Sequence, residues 1–513
     1  MSSQLHTTVQ SDAKADVHSP LRVMLVTSEL PPYAKAGGLG DVVSALATGL
    51  ARLGVDTRVV MPRYGWINVT GMYRIPRPVA CDYRLEEWWT AVYESSLPVE
   101  PRVRVYLVDR LDMFDRAGLY GENGDAYSDN QSRFGLLSSA APAVSRELGW
   151  TPHIVHAHDW PSAPAVSMVA RKGRLTGLAE TATVLTVHNI AHEGPEVAES
   201  EYLEHAPANR PVENDPDVTP STAAPASALG QGLAFADRIA FVSPSFFAEV
   251  QSGATNWGVS ELLARRRTAS TSILNGIDYS LWNPGNDPCL PVAFDRDSLE
   301  SKRTMRQALL EEFGLPIDET RPVIAMVGRL DSQKGFDTLL DTEAGILEPL
   351  LRENRFLMIV VGTGRLEYEQ RLRALSARYK NLSVAIRFEE CLAHRVEAGS
   401  DFFLMPSRFE PCGLNQMFSL RYGAIPIVSP TGGLRDTVVD TPVDGAQGTG
   451  IVMSGSGPED IRDGVERALA LWQRGPAVLD TVRRRGMGMR FDLSDMAGEY
   501  VKLYRDALRL RRS

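Results

Sequence analysis

Short apolar runs recur along this chain at regular intervals, each closed by Gly, Pro, Ser or His and followed by a longer amphipathic segment. That alternation is the signature of βα units. A strand covered on both faces reads as a continuous apolar run, and its covering helix as an apolar stripe. In the first half the runs are Arg22 to Thr27, Arg58 to Met61, Val103 to Val108, Ile154 to Ala157, Thr183 to His188 and Arg238 to Ser243. In the second half they are Val323 to Gly328, Leu357 to Gly362, Leu382 to Phe388, Asp401 to Pro406 and Ile425 to Ser429. Two doubly wound α/β halves, each built on a parallel sheet, are the simplest fold they specify. A chain of 513 residues has room for them, since domains average roughly 150 residues.

Between the halves, Asn275 to Leu299 carries Trp282-Asn-Pro-Gly-Asn-Asp-Pro288, a density of turn formers that marks a linker with its boundary near 280. The expected division is a disordered tail at 1–20, a first Rossmann-like unit at 21–279, a second at 280–490 and a closing helix at 491–513. Residues 191–227, rich in Pro, Glu, Ala and Thr, read as a flexible lid or insertion. The first 20 residues have the pattern of neither a signal nor a transit peptide, and no apolar run approaches a bilayer span. A net charge of −10 lacks the cationic field that nucleic-acid binding requires. Cys81, Cys289, Cys391 and Cys412 are widely spaced without a CxxC, which speaks against a disulfide framework or zinc ribbon and fits a reducing cytoplasm.

Several motifs fall where these runs end. Lys35-Ala-Gly37-Gly38-Leu-Gly-Asp41 lies between the first run and a helix, and glycines there admit a ligand to the helix start, with Lys35 as a mobile cation. A plain tight turn is the competing reading. Gly362-Thr-Gly364 has Glu367 where a dinucleotide fingerprint needs its third glycine, and no Gly-Lys-Ser or Gly-Lys-Thr occurs, so NAD sites and Walker loops are disfavoured. His156-Ala-His158-Asp159-Trp160 ends a strand, with both imidazoles on one face. No Cys cluster or HxxEH accompanies them, so no metal is expected. One histidine is expected to pack inward while His158 meets the ligand.

In the second half, Gly328-Arg329-Leu-Asp-Ser-Gln-Lys334-Gly335 offers two cations five residues apart in a glycine-flanked turn, suited to a diphosphate. Pro406-Ser-Arg-Phe-Glu410-Pro-Cys412-Gly413-Leu414-Asn-Gln416 places a carboxylate on a turn that opens a helix, and Thr431-Gly432-Gly433 follows the next strand. A carboxylate so placed can hold sugar hydroxyls, and a Thr-Gly-Gly turn offers backbone donors to phosphate. Together these describe a nucleotide-sugar site.

These motifs, with Thr186-Val-His-Asn189 and Asn275-Gly-Ile-Asp278, resemble in order the bacterial glycogen synthases and plant starch synthases over most of residues 21–505. The resemblance implies the GT-B architecture, two facing Rossmann-like domains with a cleft active site and a final helix crossing back to the first domain. It implies a retaining glucosyltransferase that moves glucose from ADP-glucose to the non-reducing end of an α-1,4-glucan in the cytoplasm, without a cofactor or metal. By resemblance, Arg329 and Lys334 neutralise the leaving ADP, Glu410 contacts the transferred glucose and His158 lies beside the reacting sugar. The implied donor site comprises Lys35, Gly37, Gly38, Asp41, Arg329, Lys334, Glu410, Cys412, Gly413, Leu414, Thr431, Gly432 and Gly433. Many retaining relatives carry a second glutamate eight residues after the first, where this chain has Phe418, which favours the synthase branch.

Three departures stand out. Ala36 replaces the usual Thr, Pro161-Ser162 follows the His-Asp-Trp motif, and residues 191–232 lack the family's aromatic-rich, acceptor-side segment. Two other readings stay open at this level: a noncatalytic glucan-binding or regulatory paralogue, and a transferase with another donor or acceptor.

Overall fold

Strand Arg22–Val26 pairs in parallel with Asp56–Pro62 on one side and Ile154–His158 on the other. From it the first sheet grows both ways, in the order Ser270–Ser272, Arg238–Phe241, Ala182–Val187, Ile154–His158, Arg22–Val26, Asp56–Pro62, Glu100–Asp109, Glu86–Leu97 and Tyr73–Arg74. The computed structural model describes residues 20–83, 86–122, 125–196, 227–253 and 258–512. The expected tail at 1–20 and most of the expected lid at 191–227 lie outside them. The second sheet has six strands, all parallel, in the order Leu382–Ala385, Leu357–Val361, Val323–Val327, Phe402–Met405, Ile425–Val428 and Ile451–Val452. The α/β, two-sheet expectation thus stands, with one correction. The first sheet is not wholly parallel, because Val79–Tyr83 and Tyr73–Arg74 pair antiparallel with Glu86–Leu97, which pairs antiparallel with Glu100–Asp109. This edge is half exposed, so its polar residues break the continuous apolar run that betrays a central strand.

Pleat alternation explains the second core. Ile324, Met326, Met358 and Val360 pack on one face of the sheet, and Val323, Ala325, Leu357, Ile359 and Val361 on the other. Both faces are covered, as parallel sheets require. Helix Glu300–Glu312 belongs to this half, its Leu309 and Leu310 entering the second of those layers.

Helix Leu493–Arg512 buries Leu493, Met496, Ala497, Tyr500, Leu503, Tyr504 and Ala507, a stripe at three- and four-residue spacing. The stripe packs on helix Gly38–Arg52, where a Cβ on Gly49 would come within 2.7 Å of Ala497 Cβ. It also reaches the first sheet, where Tyr504 Oη lies 2.8 Å from His156 Nδ1 and Tyr500 Oη 3.0 Å from Thr186 Oγ1. Thr186 Oγ1 lies 2.7 Å from His156 Nε2, so both ring nitrogens of His156 are spent inside the core. No helix among the described residues is long and apolar enough to cross a membrane.

The cysteine expectation is overturned at one pair. Cys289 and Cys391, 102 residues apart, form a disulfide that joins the segment between the sheets to helix Glu390–Gly399, while Cys81 and Cys412 are buried free thiols. Sequence spacing cannot reveal a contact that only the tertiary path brings about.

Truncating Tyr504 to Phe orphans the fully buried His156 Nδ1. The expected loss is about 1–3 kcal/mol of stability, the cost of an unsatisfied buried polar group. A fall in the urea midpoint checks it, and an unchanged midpoint would show that the bond adds nothing.

Candidate functional site

In open parallel sheets ligands bind beyond the carboxyl ends of the strands, where the order of strands reverses. The first sheet reverses between Arg22–Val26 and Ile154–His158, and the second between Val323–Val327 and Phe402–Met405. His158 is the last residue of one of these strands, and the loops leaving the other three carry Lys35, Arg329 and Glu410, so the sequence candidates from both halves converge on two switch points.

The two points face one another. Ser243 Oγ donates to the carbonyl of Pro411 at 2.5 Å, and Ser245 donates to Asp436 through its amide at 2.9 Å and its hydroxyl at 2.7 Å. A Cβ built on Gly38 would lie 3.5 Å from Leu414 Cδ1, so the glycine loop of one half abuts the Cys412-Gly413-Leu414 turn of the other. Lys35 Nζ stands 5.7 Å from the ring centre of Phe388, also across the junction.

On the first side, helix Gly38–Arg52 begins directly after Gly37, and Lys35 pairs with Asp41 in its first turn at 2.7 Å. Burial works against the Lys35 ammonium, but the charge and hydrogen bond of Asp41, with Glu390 and Glu29 beyond, hold its pKa above the usual lysine value. The loop is fixed by a residue that sequence reading passed over. Glu29 is buried, and its Oε2 accepts from the amides of Ala36 at 2.7 Å and Gly37 at 3.0 Å, while Oε1 accepts from Tyr120 Oη at 2.7 Å. Because the loop is held through its backbone, Ala36 is accommodated without a hydroxyl. The only sequence signal for Glu29 is an acid placed directly after a strand and before Pro31-Pro32.

The two histidines share one strand face, as alternation requires, with ring centres 4.1 Å apart, but they meet different partners. His156 faces the final helix; His158 Nδ1 lies 3.0 Å from His188 Nε2. His158 Nε2 is buried and has no protein partner. Asp159, left-handed at φ 56°, turns its carboxylate onto the amides of His188 at 2.6 Å and Asn189 at 3.2 Å, and so clamps the two strand ends together. Pro161 falls in the first turn of helix Asp159–Thr176, where a missing amide hydrogen breaks no helical bond.

On the second side, Lys334 Nζ meets Glu410 Oε2 at 2.5 Å, and Ser407 Oγ donates to the same oxygen at 3.1 Å. Arg329 is nearly half exposed and touches Gln333 at 3.0 Å and Asp331 at 3.3 Å. The Thr431-Gly-Gly turn packs straight onto the Glu410 turn. A Cβ on Gly432, at φ 43°, would lie 1.9 Å from the Glu410 carbonyl, and one on Gly433 2.3 Å from that of Cys412. Only glycine fits there. The amides expected to serve phosphate are engaged within the protein, Gly432 with Glu249 Oε1 at 2.8 Å and Gly433 with the Glu410 carbonyl at 3.2 Å. Glu249, on helix Pro244–Gln251 of the first half, carries no motif that would announce it.

Desolvation makes this a site of neutral imidazoles. It pushes His188 down to about 3 and drives His156 and His158 well below the ordinary histidine range, while burial lifts Asp159 to about 7 against the pull of its two amide donors. An unfolded histidine takes up its proton near ~6.5, whereas folded His188 does so only near 3. The unfolded state therefore binds more protons across that window, and stability falls as pH drops through it. Replacing His188 with Gln should flatten the dependence by about 1.4 kcal/mol per pH unit, measured as urea midpoints on both sides of about pH 5.5. An identical slope in the variant would contradict a neutral folded His188.

Comparison with known proteins agrees with this geometry. Residues 22–265 match the family model described as starch synthase catalytic domain, and residues 310–476 that of glycosyl transferases group 1. A glycogen synthase of Treponema denticola is 38% identical over 96% of this chain and 100% of its own length. One from an Anaeromyxobacter species is 39% identical over 94% of this chain and 99% of its own. The catalytic domain of starch synthase IV from Arabidopsis thaliana, solved bound to ADP and acarbose, superposes with a TM-score of 0.84 at 26% identity, covering 96% of this chain and 100% of that one. With two family models matched in order and nearly the whole length shared at 38% identity, the chain belongs to the glycogen synthase and starch synthase family of retaining GT-B glucosyltransferases.

Proposed function

We propose that this protein transfers glucose from ADP-glucose to the non-reducing end of an α-1,4-glucan in the cytoplasm, with Glu410, Lys334, Arg329 and His158 as its working residues. The observation that carries the assignment of roles is the Lys334–Glu410 pair at 2.5 Å, set on a buried turn at one switch point, with the buried His158 at the other. A lone lysine there would be a floating charge; paired, it is positioned.

When the bond from the anomeric carbon to ADP breaks, negative charge gathers on the departing phosphate. Arg329 can grip it with its planar fork and Lys334 as a point charge, and neither group requires a metal ion to act. Glu410 keeps Lys334 in place and is itself held by Ser407, leaving its other oxygen for a glucose hydroxyl. The unpartnered Nε2 of His158 is suited to a hydroxyl of the reacting sugar, with His188 and Asp159 fixing the ring.

Purified protein incubated with glycogen and radiolabelled ADP-glucose or UDP-glucose tests the reading. Label should enter the polymer from ADP-glucose in preference. Removing one transition-state cation, by Arg329→Ala or Lys334→Ala, is expected to lower kcat by about 10²- to 10³-fold, as loss of a comparable preorganised contact does. Glu410→Ala is expected to abolish incorporation. No transfer from either donor, even onto short maltooligosaccharides, would defeat the proposal, and unchanged kcat in the cation variants would defeat the roles given to them.

A further inference from the structure

The Cys289–Cys391 disulfide sits on a second polar cluster that the glucosyl-transfer site does not use. Asp287 and Cys289 come from the segment between the two sheets, and Cys391 and His394 from helix Glu390–Gly399. Cys391 and His394 are three apart and share one helix face. Asp287 Oδ2 lies 2.7 Å from His394 Nδ1, and the donor atoms of Asp287, Cys289 and His394 all fall within 4.8 Å of one another. Cys391 adds the second sulfur, bonded to the first.

A disulfide needs only two cysteines at the right separation. It does not need a buried carboxylate and an imidazole turned onto the same point. We propose that, once the Cys289–Cys391 bond is reduced, Asp287, Cys289, Cys391 and His394 form a structural Zn²⁺ site that ties the inter-sheet segment to helix Glu390–Gly399. Two thiolates, one imidazole nitrogen and one carboxylate oxygen make a four-donor set of the kind zinc takes, and their softness disfavours Mg²⁺ and Ca²⁺.

The surroundings have the character of an outer shell. Tyr422 Oη donates to Asp287 Oδ2 at 2.5 Å, and the Cys289 amide donates to Oδ1 at 2.8 Å. Trp282 stacks on the His394 ring with centres 3.7 Å apart and fixes its plane. Such partners orient ligands and tune affinity. Asp287 and His394 are buried while both cysteines are partly exposed, so a reductant and a metal ion reach the sulfurs first.

The chemistry balances with a thiol or phosphine reductant. Two electrons and two protons break the S–S bond to give two thiols, and the reductant is oxidised to its disulfide or phosphine oxide, in the latter case taking its oxygen from water. Zn²⁺ then displaces both thiol protons to solvent. The imidazole proton that Nδ1 shares with Asp287 moves to Nε2 as Nδ1 takes the metal. The linked helix begins at Glu390, beside the Phe388 ring that faces Lys35, so the metal would stiffen one wall of the cleft without touching the reacting groups.

The test uses full-length protein reduced with a phosphine, offered Zn²⁺ or Co²⁺ and passed through a desalting column. Wild type and Cys81→Ser should retain one metal ion per chain by elemental analysis, and the cobalt form should show thiolate-to-metal charge-transfer absorption. Cys391→Ser and Cys289→Ser should show weaker charge-transfer absorption at saturating cobalt and bind at least about tenfold more weakly, and Tyr422→Phe should weaken binding by about 10- to 100-fold. Circular dichroism confirms that each variant is folded. Folded, reduced wild type that retains no zinc, or Cys391→Ser that retains it as well as wild type, overturns the proposal and leaves a plain disulfide.

Discussion

The hydrogen bond from Ser243 Oγ to the Pro411 carbonyl, with Ser245 bound to Asp436 and Glu249 to Gly432, is the seam on which the arrangement of the site depends. Ser243 also caps helix Pro244–Gln251, accepting from the amide of Phe246, so one hydroxyl both starts a helix in the first half and anchors a turn of the second. Every contact of this seam joins the loop and helix that follow strand Arg238–Phe241 to the turns and helix that follow strands Phe402–Met405 and Ile425–Val428. Parallel sheets release all their following loops on one edge, so two sheets joined by those edges necessarily pool their loops in one crevice.

That geometry resolves an electrostatic difficulty. The chain is acidic overall, with a net charge of −10, yet a diphosphate requires cations. In the proposed donor site that need would fall to Lys35, Arg329 and Lys334, each next to a carboxylate: Asp41, Asp331 and Glu410. Asp41, at contact distance, favours the charged form of the partly buried Lys35 ammonium and positions it. A carboxylate so placed is also a hydroxyl acceptor of the kind a sugar needs, so in the proposed site one pairing would serve both halves of a nucleotide-sugar. The histidines carry no charge, because desolvation outweighs every other influence on them.

The final helix contributes to the site from behind. Tyr504 and Tyr500 satisfy His156 and Thr186, and His156 packs against His158, whose remaining nitrogen has no hydrogen-bond partner. A helix about 350 residues downstream of the strand thus fixes the histidine pair, and an exposed polar stripe on its outer face leaves no trace of this task in the local sequence.

Much of this was legible without coordinates. The central strands announced themselves because burial on both faces forces unbroken apolar runs, and the glycines of Thr431-Gly-Gly and of the Lys35 loop because their turns admit little else. Lys35, His158, Arg329, Lys334 and Glu410 could be named because each lies in the motif that follows such a run. The antiparallel edge at Val79–Tyr83 and Glu86–Leu97 was not legible, since a half-exposed strand mixes polar and apolar residues. Glu29, Glu249 and the Cys289–Cys391 junction were equally hidden. Sequence by itself determined the element types and the chemical groups at the strand ends, because periodicity and turn chemistry are local. Only the tertiary structure decided which carboxylate holds which backbone, which histidine keeps a free nitrogen and which cysteines meet, because those contacts join residues tens to hundreds of positions apart.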